Sequence, residues 1–366
     1  MLKIIHLDTG PDLRGGQQQL LMLARGLRGR GHDQLIVTLE GTALESRARQ
    51  EGFRVFVLPA HDPGHAHGIM QLRQRLRAEP FDILHAHDGK GQTISWLASV
   101  GLNLQRVASR RVTFHPARRI DTRIKYGRTC EAVIAVSKSV RQLLVGSGIP
   151  ESRIHVIPDG VDMPDELPDA VTRARIRTHW GVGAQKFVAG HLGATTNEKG
   201  QDIAIQAAAL LKQSLPEAWV VLAAGISKLI IPYTPTNLSL IGYQENLSEF
   251  FAGLDLYIMP SRAEGLGSSA LLAMAHGVPV VASRVGGLPE IIEDGATGWL
   301  IPPGSPEALA QAIAFAAADL TRLRAMGAKA RERVQQFSST IMVERTEALY
   351  EKVIGARVSS KLRVES

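Results

Sequence analysis

The 366-residue chain holds a single cysteine, Cys130, and few aromatic residues, 5% of the total. One thiol excludes an internal disulfide, which suits a reducing compartment. Long apolar runs are also missing. None approaches the roughly 20 residues needed to cross a bilayer, and the stretch Trp219 to Ile226 has the length of a buried strand. The opening Met-Leu-Lys-Ile-Ile-His-Leu lacks the apolar core and the small-residue cleavage site of a signal peptide, and reads as a first strand. The expected location is therefore cytoplasmic. No repeat and no low-complexity tract is visible. What remains is a globular balance, 45% apolar and 21% charged, in a chain long enough for two domains.

Acidic residues are in deficit, leaving a net charge of +7 that favours an anionic partner. The excess is concentrated. Between Arg106 and Arg128 lie Arg110, Arg111, Arg118, Arg119, Arg123 and Lys125, against the one acid Asp121. Such a stretch is either a solvated basic face or a docking site for phosphate, anionic lipid or a phosphorylated acceptor. Nucleic acid is not expected as a partner, because only Phe114 and Tyr126 are available for base stacking.

Strand-like and helix-like stretches alternate. Lys3–Leu7, Leu35–Leu39, Arg54–Leu58, Ile83-Leu84 and Val133–Val136 read as short buried strands, with Gln17–Arg30 an amphipathic helix between the first two. The Pro- and Asp-rich segment Ile154 to Pro168 breaks the rhythm and marks a boundary. The alternation then restarts with strands at Phe187–Leu192, Trp219–Ala224, Leu238–Ile241, Leu256–Met259 and Val278–Ala282. Helices are expected at Gln201–Leu215, Pro306–Ala318, Leu320–Gln336 and Ile341–Val353. The expectation is α/β: two doubly wound parallel-sheet domains at 1–165 and 166–340, with a helix and tail at 341–366 packing back on the first.

The stretch from Pro260 to Ala282 carries the clearest chemistry. A buried strand ends at Pro260, a loop holds Gly265, Leu266 and Gly267, and Ser268 or Ser269 opens a helix. Free amides and the positive end of the helix dipole stabilise an anion there. Glycines let the backbone approach a ligand closely. Glu264 stands at the mouth of the loop, where a carboxylate accepts hydrogen bonds from sugar hydroxyls. The alternative is an ordinary strand-to-helix turn with Glu264 in solvent.

This stretch resembles the signature of glycosyltransferase family 4, a retaining family with the GT-B fold of two Rossmann-like domains facing across a cleft. The pattern is Pro-Ser, two variable residues, Glu-Gly-Phe-Gly, a helix with Glu-Ala-Met-Ala, then Gly-x-Pro-Val-Val-Ala. Glu264 matches the first acid of the Glu-(x)7-Glu motif, which implies contact with donor-sugar hydroxyls. The second acid, which in the family holds the donor ribose, falls at Leu272. Leu192-Gly-Ala-Thr-Thr-Asn-Glu-Lys-Gly200 resembles the segment that carries the diphosphate-neutralising lysine, here Lys199, while the frequent arginine falls at Ala194. Leu13-Arg-Gly-Gly-Gln-Gln-Gln19 resembles the Gly-Gly loop, so Gly15 and Gly16 are implied to approach donor phosphate or acceptor. Leu240-Ile-Gly-Tyr-Gln-Glu245 resembles the nucleobase-reading segment, through Gly242 and Tyr243. Val-Thr-Phe-His115 resembles the family's Thr-Phe-His at the cleft edge, which implies contact of His115 with donor sugar or phosphate; the alternative is a surface histidine in a basic loop. Further matches at Phe81–Asp88, Ile154–Asp162, Val285–Ile292 and Gly295–Gly304 run in order over residues 1 to about 350.

The resemblance implies a retaining glycosyltransferase that moves a hexose-type sugar from a nucleotide-diphosphate sugar to an anionic glycan or lipid-linked acceptor of lipopolysaccharide or cell-envelope type. Glu264, Lys199 and His115 take the catalytic places. Gly15, Gly16, Gly242, Tyr243, Gly265, Leu266, Gly267, Ser268 and Ser269 bind the donor, and Arg110, Arg111 and His87 bind acceptor or phosphate. No cofactor and no metal is required. His85, His87 and Asp88, or His61, Asp62, His65 and His67, form the alternative metal readings. The basic stretch allows peripheral contact with an anionic membrane at its inner face. Alternatives are a donor-binding homologue with lost or altered catalysis, as Leu272 suggests, or another GT-B enzyme such as a sugar-nucleotide epimerase.

Overall fold

The computed structural model describes residues 1–113, 119–223 and 235–362. They form two compact units, Met1–Gly160 together with Ser339–Ser366, and Val161–Ser338. The division falls after Gly160, earlier than the expected 165. The Pro- and Asp-rich segment does not begin as a linker, because Ile154–Val156 is a strand of the first unit.

Unit 1 runs β1 (Lys3–Leu7), α1 (Gly15–Gly29), β2 (Asp33–Leu39), α2 (Ala43–Gln50), β3 (Arg54–Leu58), α3 (Ala66–Ala78), β4 (Ile83–Ala86), α4 (Gly89–Ser99), β5 (Gln105–Arg110), α5 (Arg119–Gly127), β6 (Ala132–Ala135), α6 (Lys138–Gly146) and β7 (Ile154–Val156). The described strands form one sheet in the order β3-β2-β1-β4-β5-β6-β7, and every pairing in it is parallel. Helices on both faces bury the strands, so Ile4, Ile5, Leu7, Leu35, Ile36 and Val37 are all enclosed. The order reverses between β1 and β4, which opens a crevice at their carboxyl ends.

β5 overlaps the stretch from Arg106 to Arg128, whose sequence signals positive charge and no strand. Three of the polar residues of this inner strand make specific contacts inside the fold. Arg106 pairs with Glu131 at 2.7 Å, Ser109 hydrogen-bonds His85 at 2.8 Å, and Arg110 lies over the Tyr126 ring at 5.9 Å. The basic excess is thus partly neutralised by acids outside the stretch, Glu131 and Asp159.

Unit 2 runs α7 (Ala170–His179), β8 (Phe187–Leu192), α8 (Gln201–Ser214), β9 (Ala218–Ala223), β10 (Leu238–Leu240), α9 (Leu247–Ala252), β11 (Leu256–Met259), α10 (Ser268–Ala275), β12 (Val280–Ser283), α11 (Leu288–Ile291), β13 (Gly298–Ile301), α12 (Pro306–Ala317) and α13 (Leu320–Val334). Its described strands order as β10-β9-β8-β11-β12-β13. The switch point lies between β8 and β11. Side chains supply the helix caps where the sequence offers short polar residues, for example Asp169 to the Thr172 amide and Ser305 to the Ala308 amide.

The last helix, α14 (Ser339–Leu362), is longer than the expected Ile341–Val353 and belongs to unit 1. Met342, Val343, Leu349, Tyr350 and Val353 join Leu23, Leu27, Ile83 and Val107 in one buried cluster. Gly26 of α1 permits the close approach. A β-carbon there would stand 2.3 Å from Val343 Cγ2. No described helix is long and apolar enough to cross a membrane.

Candidate active site

In unit 2 the carboxyl ends of β8 and β11 carry the two residues singled out as a donor grip. Lys199 closes a short helical turn after β8, and Glu264 lies on the loop after β11. Far apart in the chain, they meet because β8 and β11 pair in register, Tyr257 opposite Gly190. Lys199 Nζ donates to Glu264 Oε2 at 2.6 Å, with 27% and 13% of the two side chains exposed. The pair therefore sits at the switch point of the sheet, where open α/β sheets bind ligands.

Backbone geometry holds the pair. Gly200 has φ +68, and a β-carbon there would meet the Pro260 carbonyl oxygen at 2.0 Å, so only glycine lets the Lys199 turn lie against the end of β11. Gly286, φ +55, lies so close to Glu264 that a β-carbon would be 1.7 Å from its carbonyl oxygen. The Arg262 amide donates to the Glu198 carbonyl at 2.7 Å, and its guanidinium pairs with Asp202 at 2.6 Å, tying the two loops together.

Gly265, Leu266 and Gly267 are buried, and Gly267, φ +110, caps α10. Ser268 and Ser269 form the first turn of α10, half-buried, and that turn carries no acid. Its free amides and dipole face the same end of the sheet as Lys199. Leu272 is half-buried one turn further on, and its carbonyl accepts from His276 Nδ1 at 2.8 Å. Gly242, φ +70, and Tyr243, 68% exposed, follow the edge strand β10. They lie beyond β9, a full strand outside the Lys199–Glu264 pair in the sheet order.

His191 escaped the sequence reading. It is fully buried at the end of β8, and its Nδ1 donates to the Ile258 carbonyl at 3.0 Å. Its Nε2 is therefore a bare acceptor, with no hydrogen-bond partner among the described residues. The nitrogen faces the Gly193 turn, 3.1 Å from where a β-carbon of Gly193 would be. Burial pushes this imidazole down to about 4, so it is neutral at pH 7.

A cavity of about 410 Å³ lies at the opposite, amino ends of β11 and β12, lined by Leu167, Arg173, Leu254, Asp255, His276 and Val278 among others. Arg173 and Asp255 are engaged with each other there. The cavity is therefore remote from the Lys199–Glu264 pair.

In unit 1 the crevice between β1 and β4 gathers the second group. Gly15 is exposed and Gly16 half-buried at the start of α1. The Arg14 amide donates to Gln17 Oε1 at 3.1 Å, and Gln17 Nε2 donates to the buried Asp8 at 2.8 Å. Burial, then the neighbouring Asp88, push the Asp8 carboxyl above its usual value. Arg111 follows β5 and pairs with Asp159 at 2.9 Å. Arg110 is 9% exposed and turned to Tyr126, away from Arg111. His87 is 5% exposed and lies within a buried histidine network. His115 lies outside the described residues.

The metal readings divide. Asp62 accepts the Gly68 amide at 2.7 Å and His67 bonds Gln71 at 2.9 Å, so these residues serve the start of α3. Asp88 caps α4 through the Gly91 amide and holds Thr9. Among the described residues, one group of three or more metal-type side chains stands close together: His6, His85 and His87. His6 was invisible in the sequence, because only the parallel register of β1 on β4 sets it opposite His85.

Comparison with known proteins converges on one family. Residues 172–333 match the family described as "Glycosyl transferases group 1", and residues 13–164 match "Glycosyltransferase Family 4". The GDP-mannose-dependent alpha-(1-6)-phosphatidylinositol monomannoside mannosyltransferase of Mycolicibacterium smegmatis is 28% identical, over 88% of this chain and 90% of its own. The N-acetyl-alpha-D-glucosaminyl L-malate synthase of Bacillus anthracis is 27% identical, over 82% of each. Among solved structures, Anabaena HepE in complex with UDP and glucose superposes with a TM-score of 0.84 at 23% identity, covering 96% of this chain and all of that one. A glycosyltransferase from Rickettsia africae gives a TM-score of 0.85 at 20% identity, over 96% and 98%.

Proposed function

Because the chain belongs to the group 1 glycosyltransferases of the GT-B fold, we propose that it moves a hexose from a nucleoside-diphosphate sugar to an anionic acceptor with retention of the anomeric configuration. The observation that carries the reading is the Lys199–Glu264 pair at the switch point of unit 2, beside the amino end of α10. Lys199 neutralises the leaving diphosphate as a point charge, helped by the α10 amides at Ser268 and Ser269. Glu264 exchanges its bond to Lys199 for hydroxyls of the sugar. The diphosphate takes the proton of the attacking hydroxyl, so no enzymic nucleophile and no metal is assigned. Catalysis is then positioning plus charge stabilisation. Leu272 places an apolar side chain where the family's ribose-binding acid stands. Donor grip consequently rests on Lys199, Glu264 and α10.

The anionic acceptor is read from unit 1, where Arg111 stands at the crevice beside Gly16. It agrees with the chemistry of relatives named for phosphatidylinositol monomannoside, inositol 3-phosphate and malate. A lipid-linked or cell-envelope acceptor fits the exposed Arg123, Ile124 and Arg128, which suit an anionic membrane face. The test is a thermal-shift screen with UDP-, GDP-, ADP- and CMP-sugars, followed by transfer assays with the donor that binds. Stabilisation by one donor class and transfer to a phosphorylated or carboxylated acceptor support the reading. Binding without transfer to any acceptor supports instead the donor-binding homologue that Leu272 suggests.

A further inference from the structure

The three buried histidines of unit 1 look at first like a metal site, since their ligating nitrogens lie within 4.8 Å of one another. Their hydrogen bonds assign the protons differently. Gln34 Nε2 donates to the Ala24 carbonyl at 2.8 Å, so the Gln34 amide oxygen faces His6 Nε2, 3.0 Å away. That oxygen only accepts, so His6 Nε2 carries the ring proton and Nδ1 is bare. His6 Nδ1 lies 3.0 Å from His87 Nε2 and must accept from it. His87 then carries its own proton on Nε2 and turns a bare Nδ1 to Arg111 Nη1, 3.4 Å away. Arg111 can only donate. The bonds run one way, Arg111 to His87 to His6 to Gln34 to Ala24, with one proton per ring and no conflict.

A second proton on either ring sets donor against donor, at His6 Nδ1 or at Arg111. Burial pushes His6 down to about 4 and His87 well below its usual value. The charges acting on His87 are those of His85, Arg111 and His6, none of them negative, and the Asp159 carboxylate beyond is paired with Arg111. A metal ligated by this cluster has to break the His6–His87 bond and stand beside the Arg111 cation. His85 is already spent on Tyr350 and Ser109.

At its other end the chain of bonds grips a guanidinium. Arg111 Nε donates to Asp159, and Arg111 Cδ lies 4.0 Å from where a β-carbon of Gly16 would be. Nη2 has no acceptor among the described residues, and the side chain is 14% exposed. A planar donor edge at the first turn of α1 suits a carboxylate or phosphate.

We propose that His87, backed by His6, is a positioning residue that holds Arg111 over Gly16 as the anion-recognising group of the acceptor side. This deepens the anionic-acceptor reading and rests on it. The first experiment is long-range proton–nitrogen NMR of the imidazoles in the full chain between pH 5 and 8. His6 and His87 are expected as neutral Nε2–H tautomers throughout. An Nδ1–H tautomer in either ring overturns the proposal, as does zinc that binds these rings and raises the melting temperature.

The second experiment titrates inorganic phosphate against wild type, His87→Asn and His87→Gln, following the Arg111 Nε–H resonance. Asparagine places an amide oxygen where Nδ1 stood, and glutamine reaches only the Nε2 position. His87→Asn is expected within about threefold of wild type and His87→Gln about tenfold weaker. Donor-induced thermal shift is expected to be unchanged in both. Equal phosphate binding by His87→Gln, or none by wild type, overturns the role. Absence of sugar transfer from every donor sinks the functional reading without moving these resonances, so the two failures are distinguishable.

Discussion

Replacing Glu264 by glutamine is expected to have opposite effects on two ligands of the same site. Lys199 Nζ is held at 2.6 Å by the Glu264 carboxylate. Removing that charge leaves the ammonium free for a diphosphate. Opposite unit charges about 4 Å apart interact by roughly 4 kcal/mol at an effective dielectric of about 20. With 27% of the Lys199 side chain exposed, solvent screening roughly halves this, to about 2 kcal/mol. Glu264→Gln is thus expected to tighten a bare nucleoside diphosphate several-fold. Lys199→Ala is expected to weaken it by about thirtyfold, the same 2 kcal/mol. The nucleotide sugar behaves otherwise, because it also loses charge-assisted bonds from hydroxyls to the carboxylate, about 1.5–3 kcal/mol. Turnover of Glu264→Gln should fall by tenfold or more. Calorimetric titration of both single variants and the double variant, with and without the sugar on the nucleotide, measures the coupling. If Glu264→Gln weakens the bare diphosphate as much as Lys199→Ala does, Glu264 is not a restraint on Lys199 and the exchange mechanism fails.

Three further outcomes follow from the same geometry. Gly286→Ala puts a β-carbon 1.7 Å from the Glu264 carbonyl oxygen at φ +55, so the loop must move; a loss of about 3 kcal/mol in urea unfolding, or loss of transfer in a folded protein, is expected. Gly26→Ala overpacks α1 against Val343 by about 1–3 kcal/mol, less up to about 1 kcal/mol of helix propensity. Adding Val343→Ala should recover part of that loss, and additive destabilisation counts against the contact. His6 and His191 are pushed down by burial to about 4 from 6.5, so the unfolded chain binds more protons between those values. Stability is full above pH 6.5 and falls as pH drops toward 4, by about 2 kcal/mol per histidine at pH 5. Urea midpoints at pH 7 and 5 test this, and a flat profile in the wild type refutes it.

The sequence by itself determined the α/β class, because buried parallel strands must be apolar and the crossover helices amphipathic, and both patterns are local. Arg54–Leu58, Phe187–Leu192 and Leu256–Met259 were legible to the residue for that reason. So was the glycine loop with Glu264, whose turn chemistry lies within one contiguous stretch. β5 was not legible, because its arginines lie against Glu131 and the Tyr126 ring, and the chain order does not reveal those neighbours. Tertiary structure alone decided which residues meet. Sheet order sets β11 beside β8 and so brings Lys199 onto Glu264. Register sets His6 opposite His85, and the fold carries Asp159 to Arg111. Strand neighbours in a parallel sheet are joined by long crossovers, so their adjacency is a property of the packed whole and leaves no periodic trace in the chain.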